Sequence, residues 1–280
     1  MATIVDGKKL ALKVKDQTKL FLSTNTKYLN SYISIIQVGD DEATNIYIRN
    51  KNKVAEELGL KVRHIKLTDT STLKDTILKE NTDTQVIGIL LQSPLPNKEN
   101  MSNYTKYIDP SKDIDCLTPT NLGNIWSGDI KLLPATVKAV MVVLEEISNN
   151  NLKEYLKGKN IVIVNHTVIL GKPLAGVLLS YGSTVTICHK DTKDLSSHTK
   201  NADILITGVG IENLITKDMI KKDSVLIDCG ITRNAEGKVV GDMSQDLGEI
   251  ASVITPVPGG IGPLTVTCLL DNIRLTLGDY

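Results

Sequence analysis

The chain carries no excess of charge: 32 basic residues balance 32 acidic ones over 280 positions. No basic block stands out, which argues against nucleic acid as a partner. Long apolar runs are missing too. The opening MATIVDGKKL has no apolar signal-type segment, and nothing approaches the ~18 apolar residues of a membrane span. Cysteine is scarce and scattered. Cys116, Cys188, Cys229 and Cys268 form no CxxC pair, so free thiols in a reducing compartment fit better than a disulfide or zinc framework, and no metal site is expected. The cytoplasm is the expected location. Internal repeats and low-complexity linkers are also absent. What remains, 41% apolar and 23% charged residues, is the make-up of an ordinary globular protein with a real core.

Apolar runs recur between amphipathic stretches. YISIIQV (32–38), LKVRHIKL (60–67) and QVIGILL (85–91) fill the first half; NIVIV (160–164), STVTIC (183–188), ADILIT (202–207) and SVLIDCG (224–230) fill the second. Helical patterns lie between them at 41–58, 72–80, 136–149, 172–181 and 217–221, with a final apolar helix over 264–277. Strands this apolar, alternating with helices, predict parallel sheets covered on both faces: the α/β class, in two domains. The stretch 110–134 reads as the longest irregular segment. The boundary is placed there, giving domains 1–120 and 121–280, with the helix of 264–280 packing back on the first.

In the helix of 41–58, Ala43, Tyr47, Val54, Ala55 and Leu58 share one arc of about 120°, and Gly59 is the expected C′ residue. Arg49 and Lys53 point away from that arc; Lys51 falls inside it, one turn beyond Tyr47. A lysine on an apolar stripe either snorkels from the edge or loses basicity beside a cleft. Two other stretches can line such a cleft. GILLQSPLPNK (88–98) puts Leu91, Gln92 and Ser93 at the C-terminal end of a strand, where open α/β sheets bind ligands. DPSKDIDCLTP (109–119) carries Asp113 and Asp115 in a loop. Alone, either stretch is equally readable as a solvated or capped turn.

In the second half, VIVNHTVILGKPLAGVLL (162–179) has the outline of a mononucleotide-binding strand, turn and helix, but Asn165, His166 and Thr167 stand where glycines are usual. The next strand ends in Cys188, His189 and Lys190, with no acid at the place that reads a ribose hydroxyl in NAD-binding domains. Lys190 is either a solvated loop lysine or a partner for a phosphate, and His166 either packs or joins it.

Taken together, YxxxK, LQSPLP, KDID and TPVPGGIGPLT (255–265) form an ordered set. On these motifs the chain resembles the bifunctional methylenetetrahydrofolate dehydrogenase/methenyltetrahydrofolate cyclohydrolase family, nearly end to end. The resemblance implies a folate-binding N-terminal domain, a Rossmann-type NAD(P)-binding domain and a homodimer working on tetrahydrofolate derivatives in one-carbon metabolism and purine biosynthesis. It implies that Lys51 is the key catalytic group, that Gln92 hydrogen-bonds it, that Tyr47 stacks on the substrate and that Asp115 holds the pterin edge. Leu91 and Ser93 would join them, with Pro258, Gly259, Gly260, Ile261, Gly262, Pro263, Leu264 and Thr265 lining the folate and nicotinamide side. Asn165, His166, Thr167, Gly171, Lys172, Pro173, Lys190 and Ile231 would hold the cofactor, expected to be NADP with NAD as the other possibility.

The chain departs from the family pattern in places. Asn165 and Thr167 replace Gly and Ser, and His166 replaces an Arg that often meets the 2′-phosphate. Cys116 stands where Gly usually follows KDxD, and Ala135 and Val137 replace the Cys and second Pro of a P-C-T-P motif. The expected activity is oxidation of 5,10-methylenetetrahydrofolate followed by hydrolysis to 10-formyltetrahydrofolate. Two alternatives stand beside it: a cyclohydrolase with weak or lost dehydrogenase activity, and a non-catalytic folate-binding protein.

Overall fold

A computed structural model describes residues 1–28 and 30–278. Leu29, Asp279 and Tyr280 lie outside the described residues, as does the side chain of Ala43 from the expected apolar arc. The strands are β1 (Thr3–Ile4), β2 (Tyr32–Val38), β3 (Lys61–Leu67), β4 (Val86–Leu91), β5 (Asn160–Val164), β6 (Thr184–Cys188), β7 (Ile204–Thr207), β8 (Val225–Asp228), β9 (Thr232–Arg233), β10 (Val239–Val240) and β11 (Val253–Ile254). The helices are α1 (Gly7–Thr24), α2 (Glu42–Glu57), α3 (Leu73–Thr82), α4 (Ser102–Thr105), α5 (Pro119–Trp126), α6 (Ala135–Ile147), α7 (Leu152–Leu156), α8 (Gly171–Ser180), α9 (Leu195–Thr199) and α10 (Ile261–Thr276). The chain divides into two compact units, Met1–Ala11 with Thr136–Thr265 and Leu12–Ala135 with Val266–Tyr280. Both are α/β with parallel sheets, the expected class.

The unit holding residues 12–135 is built on a three-stranded parallel sheet, β3-β2-β4. β4 is buried throughout and β2 nearly so, which is why β4 reads as an unbroken apolar run and β2 as one interrupted only by the buried Ser34 and Gln37. Successive residues of β2 feed opposite faces. Ile33 and Ile35 pack with Ile48, Ala55 and Leu58 of α2 and Leu269, Leu270 and Ile273 of α10. Ile36 and Val38 pack with Leu73 and Ile77 of α3. Asp41 caps α2, its Oδ2 accepting from Thr44 N at 2.8 Å and Thr44 Oγ1 at 2.9 Å. Gly59 ends it at φ 77°, the left-handed C′ position its place in the sequence predicts.

The buried face of α2 is rotated from the expected arc. Tyr47 is 51% exposed, and Thr44, Ile48, Ala55 and Leu58 face inward. Ile48 wins the sheet contact over the larger Tyr47 because an aliphatic side chain has no hydroxyl to desolvate. Lys51 stays on the buried face, half-covered. Three other expectations need correction. Residues 217–221 form only a 3-10 turn, Lys217–Met219. The stretch 110–134 contains α5, with Thr118 as its cap accepting from Asn121 N at 3.2 Å and Pro119 at its first position. α1, absent from the expected elements, starts where Asp6 Oδ1 accepts from Lys9 N at 3.0 Å.

The second unit carries a six-stranded parallel sheet in the order β1-β11-β8-β7-β5-β6. β6 lies to one side of β5 and β7 to the other, so the strand order reverses at β5. Val162, Val164, Leu205 and Leu226 centre one side of its core.

Candidate active site

Gln92 follows β4 directly and extends its ladder, donating from its backbone to Ile36 O at 2.8 Å. Its side chain is buried. Nε2 donates to Ser93 O at 2.5 Å, leaving Oε1 to accept from Lys51 Nζ at 2.8 Å. The amide is thus held at both ends and fixes the lysine nitrogen. Burial lowers the basicity of Lys51, opposed by the nearby charge of Asp115. Burial also pushes the Asp115 carboxyl up to about 6, with Lys51 drawing it down and Asp113 raising it. Both groups are biased toward their neutral forms by the loss of water.

The two aspartates of KDID have separate roles. Ile89 N donates to Lys112 O at 2.7 Å, so residues 112–114 run beside β4. Asp113, 1% exposed, organises the loop by accepting from Leu117 N, Thr118 N and Asn121 Nδ2 at 3.1, 2.7 and 3.0 Å. Asp115 makes no such loop bonds and is coupled to Lys51. Between them, Asn272 of α10 donates from Nδ2 to Ile114 O and Leu133 O, each at 2.8 Å. No local pattern marks Asn272, which is 158 residues from Ile114. Cys116 takes φ 56°, the left-handed conformation that costs an L-residue roughly 1–2 kcal/mol; this explains why glycine suits the position. Its thiol donates to Leu132 O at 3.3 Å, and burial holds it protonated. Ala135 and Val137 are buried residues at the start of α6.

Of the remaining residues expected at the folate side, Leu91 belongs to the core around Ile36 and Ile77. Ser93 is half-buried beside Gln92. In the second unit, the 255–265 stretch folds against the start of α1. Gly7 N donates to Gly259 O at 3.0 Å, and a Cβ at Gly7 would lie 1.8 Å from Gly260 O. Ile261 and Leu264 point inward. The surface this stretch offers is therefore Pro258, Gly262 and, partly, Gly259, Pro263 and Thr265, with Gly260 buried.

The turn after β5 is formed by one side chain. Asn165 Oδ1 accepts from Thr167 N and Thr167 Oγ1 at 2.8 Å and from Gly171 N at 3.1 Å. Left-handed backbone at non-glycine positions falls elsewhere, not on Asn165. Gly171 is required by contact: a Cβ there would lie 1.9 Å from Asn165 O. Thr167, Lys172 and Lys190 are exposed and Pro173 is buried. The His166 ring sits 5.2 Å from that of His189, tilted by 55°. Val168, Ile169, Val209, Ile211 and Ile231 form an exposed aliphatic set in the loops that follow β5, β7 and β8. Apolar edges with nearby lysines and hydroxyls are the chemistry that a dinucleotide's rings and phosphates require.

Two buried carboxylates behind these loops escaped sequence reasoning. Asp242 accepts from Val209 N, Gly210 N and Ile211 N at 2.7, 2.7 and 2.8 Å. Asp228 accepts from Gly230 N at 2.8 Å, Met243 N at 3.0 Å and Thr207 Oγ1 at 3.2 Å. Burial, together with the charge of Asp242, raises the Asp228 carboxyl against these donors. The only sequence signal was an Asp at the end of an apolar strand and a GDM triplet.

Comparison with known proteins gives a consistent result. The description "Tetrahydrofolate dehydrogenase/cyclohydrolase, catalytic domain" matches residues 5–115, and "Tetrahydrofolate dehydrogenase/cyclohydrolase, NAD(P)-binding domain" matches residues 134–277. The chain is 40% identical over 275 residues to the bifunctional protein FolD of Nautilia profundicola, covering 96% of this chain and 95% of that one. It is similar to the crystal structure of the bifunctional enzyme FolD from Campylobacter jejuni, with a TM-score of 0.93 at 37% identity, covering 99% and 98% of the two chains. The Trypanosoma brucei methylenetetrahydrofolate dehydrogenase-cyclohydrolase, solved with NADP cofactor and inhibitor, gives a TM-score of 0.88 at 29% identity, covering 99% and 97%.

Proposed function

Because the chain belongs to the tetrahydrofolate dehydrogenase/cyclohydrolase family, we propose that it oxidises 5,10-methylenetetrahydrofolate with NADP and hydrolyses the methenyl product to 10-formyltetrahydrofolate. The observation that carries this reading is the Lys51–Gln92 pair with Asp115 coupled to it.

Hydrolysis of the methenyl cation needs a proton acceptor that is free near neutral pH. Lys51 supplies it. Burial already lowers its basicity, and a cationic substrate alongside lowers it further. Gln92 keeps Nζ in place, so the amine takes the proton of the adding water without first reorienting. Asp115, ionised, accepts a pair of parallel N–H bonds from the aminopyrimidinone edge. Tyr47, exposed one turn before Lys51, lies against the substrate rings. When bound, the nicotinamide would supply the acceptor for the hydride of the methylene bridge. Thr167, Lys172 and Ile231 would hold the cofactor, and Lys190 would meet its 2′-phosphate, which would favour NADP over NAD.

Folate handling is assigned to residues 1–120 with the helix of 264–280 packed back on them, and cofactor handling to the rest of 121–280. The enzyme is proposed to be a cytoplasmic homodimer, for which light scattering after gel filtration is the test. The test of the activity follows NADPH formation and methenyl hydrolysis separately on the pure protein. Hydrolysis without NADPH formation would leave only the cyclohydrolase reading; neither would leave a folate-binding protein.

A further inference from the structure

The turn between β5 and α8 lacks the glycines that let a backbone close on a phosphate, yet it is tightly formed. Asn165 does this with one planar amide. Oδ1 gathers Thr167 N, Thr167 Oγ1 and Gly171 N. Nδ2 reaches across to the loop after β7 and donates to Gly208 O at 2.5 Å. That second loop is gripped from its other side by Asp242, which takes the three successive amides of Val209, Gly210 and Ile211. β5 and β7 are the adjacent strands at which the sheet order reverses, and the crevice between their loops is where an open α/β sheet receives its ligand.

We propose that Asn165 is the positioning residue of the cofactor crevice: a cross-brace that ties the β5 loop to the β7 loop, so that both walls stand in place before the cofactor enters. This rests on the reading of the unit as NADP-binding. The bonds that reach Gly208 O and Gly171 N are part-buried, while the two to Thr167 are exposed. Because donor and acceptor sit on one rigid amide, displacing either loop breaks bonds to the other.

The brace also changes how an anion is met. The first-turn donors of α8 are already used: Gly171 N by Asn165 Oδ1 and Lys172 N by Thr167 O at 3.0 Å, while Pro173 has none. The N-terminus of α8 is therefore not an open cradle of the kind helix N-termini often provide. The loop amides of 209–211 are likewise taken by Asp242. Phosphate recognition falls to side chains, with Thr167 and Lys172 nearest in sequence to the turn.

The test uses the full chain with Asn165→Ala and Asn165→Ser. Affinity is read from the fluorescence of bound NADPH, loop order from amide exchange over 165–171 and 208–211, and turnover from KM and kcat for NADP. With Ala, the Kd for NADPH is expected to rise about tenfold or more, the scale of one to two net hydrogen bonds. KM should rise with it and kcat should fall less than about threefold. Exchange should accelerate in both loops, although the substitution lies in only one. Ser can still accept from Thr167 N in a short hydroxyl turn, so exchange over 165–171 should partly recover while that over 208–211 does not. An unchanged Kd, faster exchange confined to 165–171, or a loss of kcat and thermal stability at unchanged KM would overturn the brace. If the wild type binds no NADPH, the cofactor reading itself fails, and the exchange comparison still decides whether the two loops are tied.

Discussion

Replacing Lys51 with Met removes the amine beside Gln92 while keeping an unbranched, apolar stem on the covered face of α2. Cyclohydrolase activity is expected to fall by about 10²–10⁴-fold, the usual worth of a positioned proton acceptor, with folate affinity and fold retained; single-turnover hydrolysis of the methenyl substrate checks it. Asp115 gives a pH signature. Its carboxyl titrates at about 6 in the folded chain against an ordinary 3.8. Between those values the native chain holds a proton that the unfolded chain has released, so this contribution to stability is complete below about 3.8 and is lost as pH rises through about 6. Asp115→Asn should therefore melt higher than the wild type above pH 7 and lose that advantage near pH 4. Since only the carboxylate accepts paired N–H bonds, folate affinity should weaken as pH drops through about 6, and Asp115→Asn should flatten that dependence; calorimetric titration from pH 5 to 8 measures both. At this scale much was legible. Lys51 fell inside the apolar arc of its helix, and burial is what lowers its basicity. The exposure of Tyr47 was not legible, because the arc is set by which side chain meets the sheet, and the sequence leaves Ile48 and Tyr47 both eligible.

Loops and helix ends carry the second set of expectations. Asp242→Ala strands the three amides of residues 209–211 behind the β7 loop and should cost roughly 2–4 kcal/mol by denaturant unfolding, the scale of several buried bonds to one carboxylate. Lys190→Ala should cost NADP about 1–3 kcal/mol and NAD almost nothing; kcat/KM for both cofactors decides it, and equal losses would return Lys190 to the status of a loop lysine. The strands and most of the helices could be read from the sequence because β2, β4, β5 and β7 are almost wholly buried and so mostly apolar. α5 was hidden inside an apparent loop even though Thr118-Pro119 is a cap followed by a first-turn proline. The cofactor turn was the hardest to read. Missing glycines suggested a weakened turn, whereas the hydrogen bonds of a single asparagine side chain hold it, and such bonds depend on a partner 43 residues away.

For the molecule as a whole, the catalytic loop depends on residues near the end of the chain. Asn272→Ala leaves the carbonyls of Ile114 and Leu133 without its amide and should cost about 1–3 kcal/mol of stability. Folate affinity is expected to fall more than tenfold and NADPH affinity less than twofold; equal losses would mean general loosening instead. The interleaving has a consequence on the ribosome. Thr3 of β1 pairs with Val253 of β11, and the sheet face above Ile33 and Ile35 is completed by Leu269, Leu270 and Ile273. At about 5–20 residues per second, a strand made at the start waits roughly 12–50 s for a partner about 250 residues later. The unit of the six-stranded sheet cannot close until β11 has been made, and the other cannot close until α10 has been made. The nascent chain therefore spends nearly its whole synthesis with one edge unpaired and one apolar face uncovered.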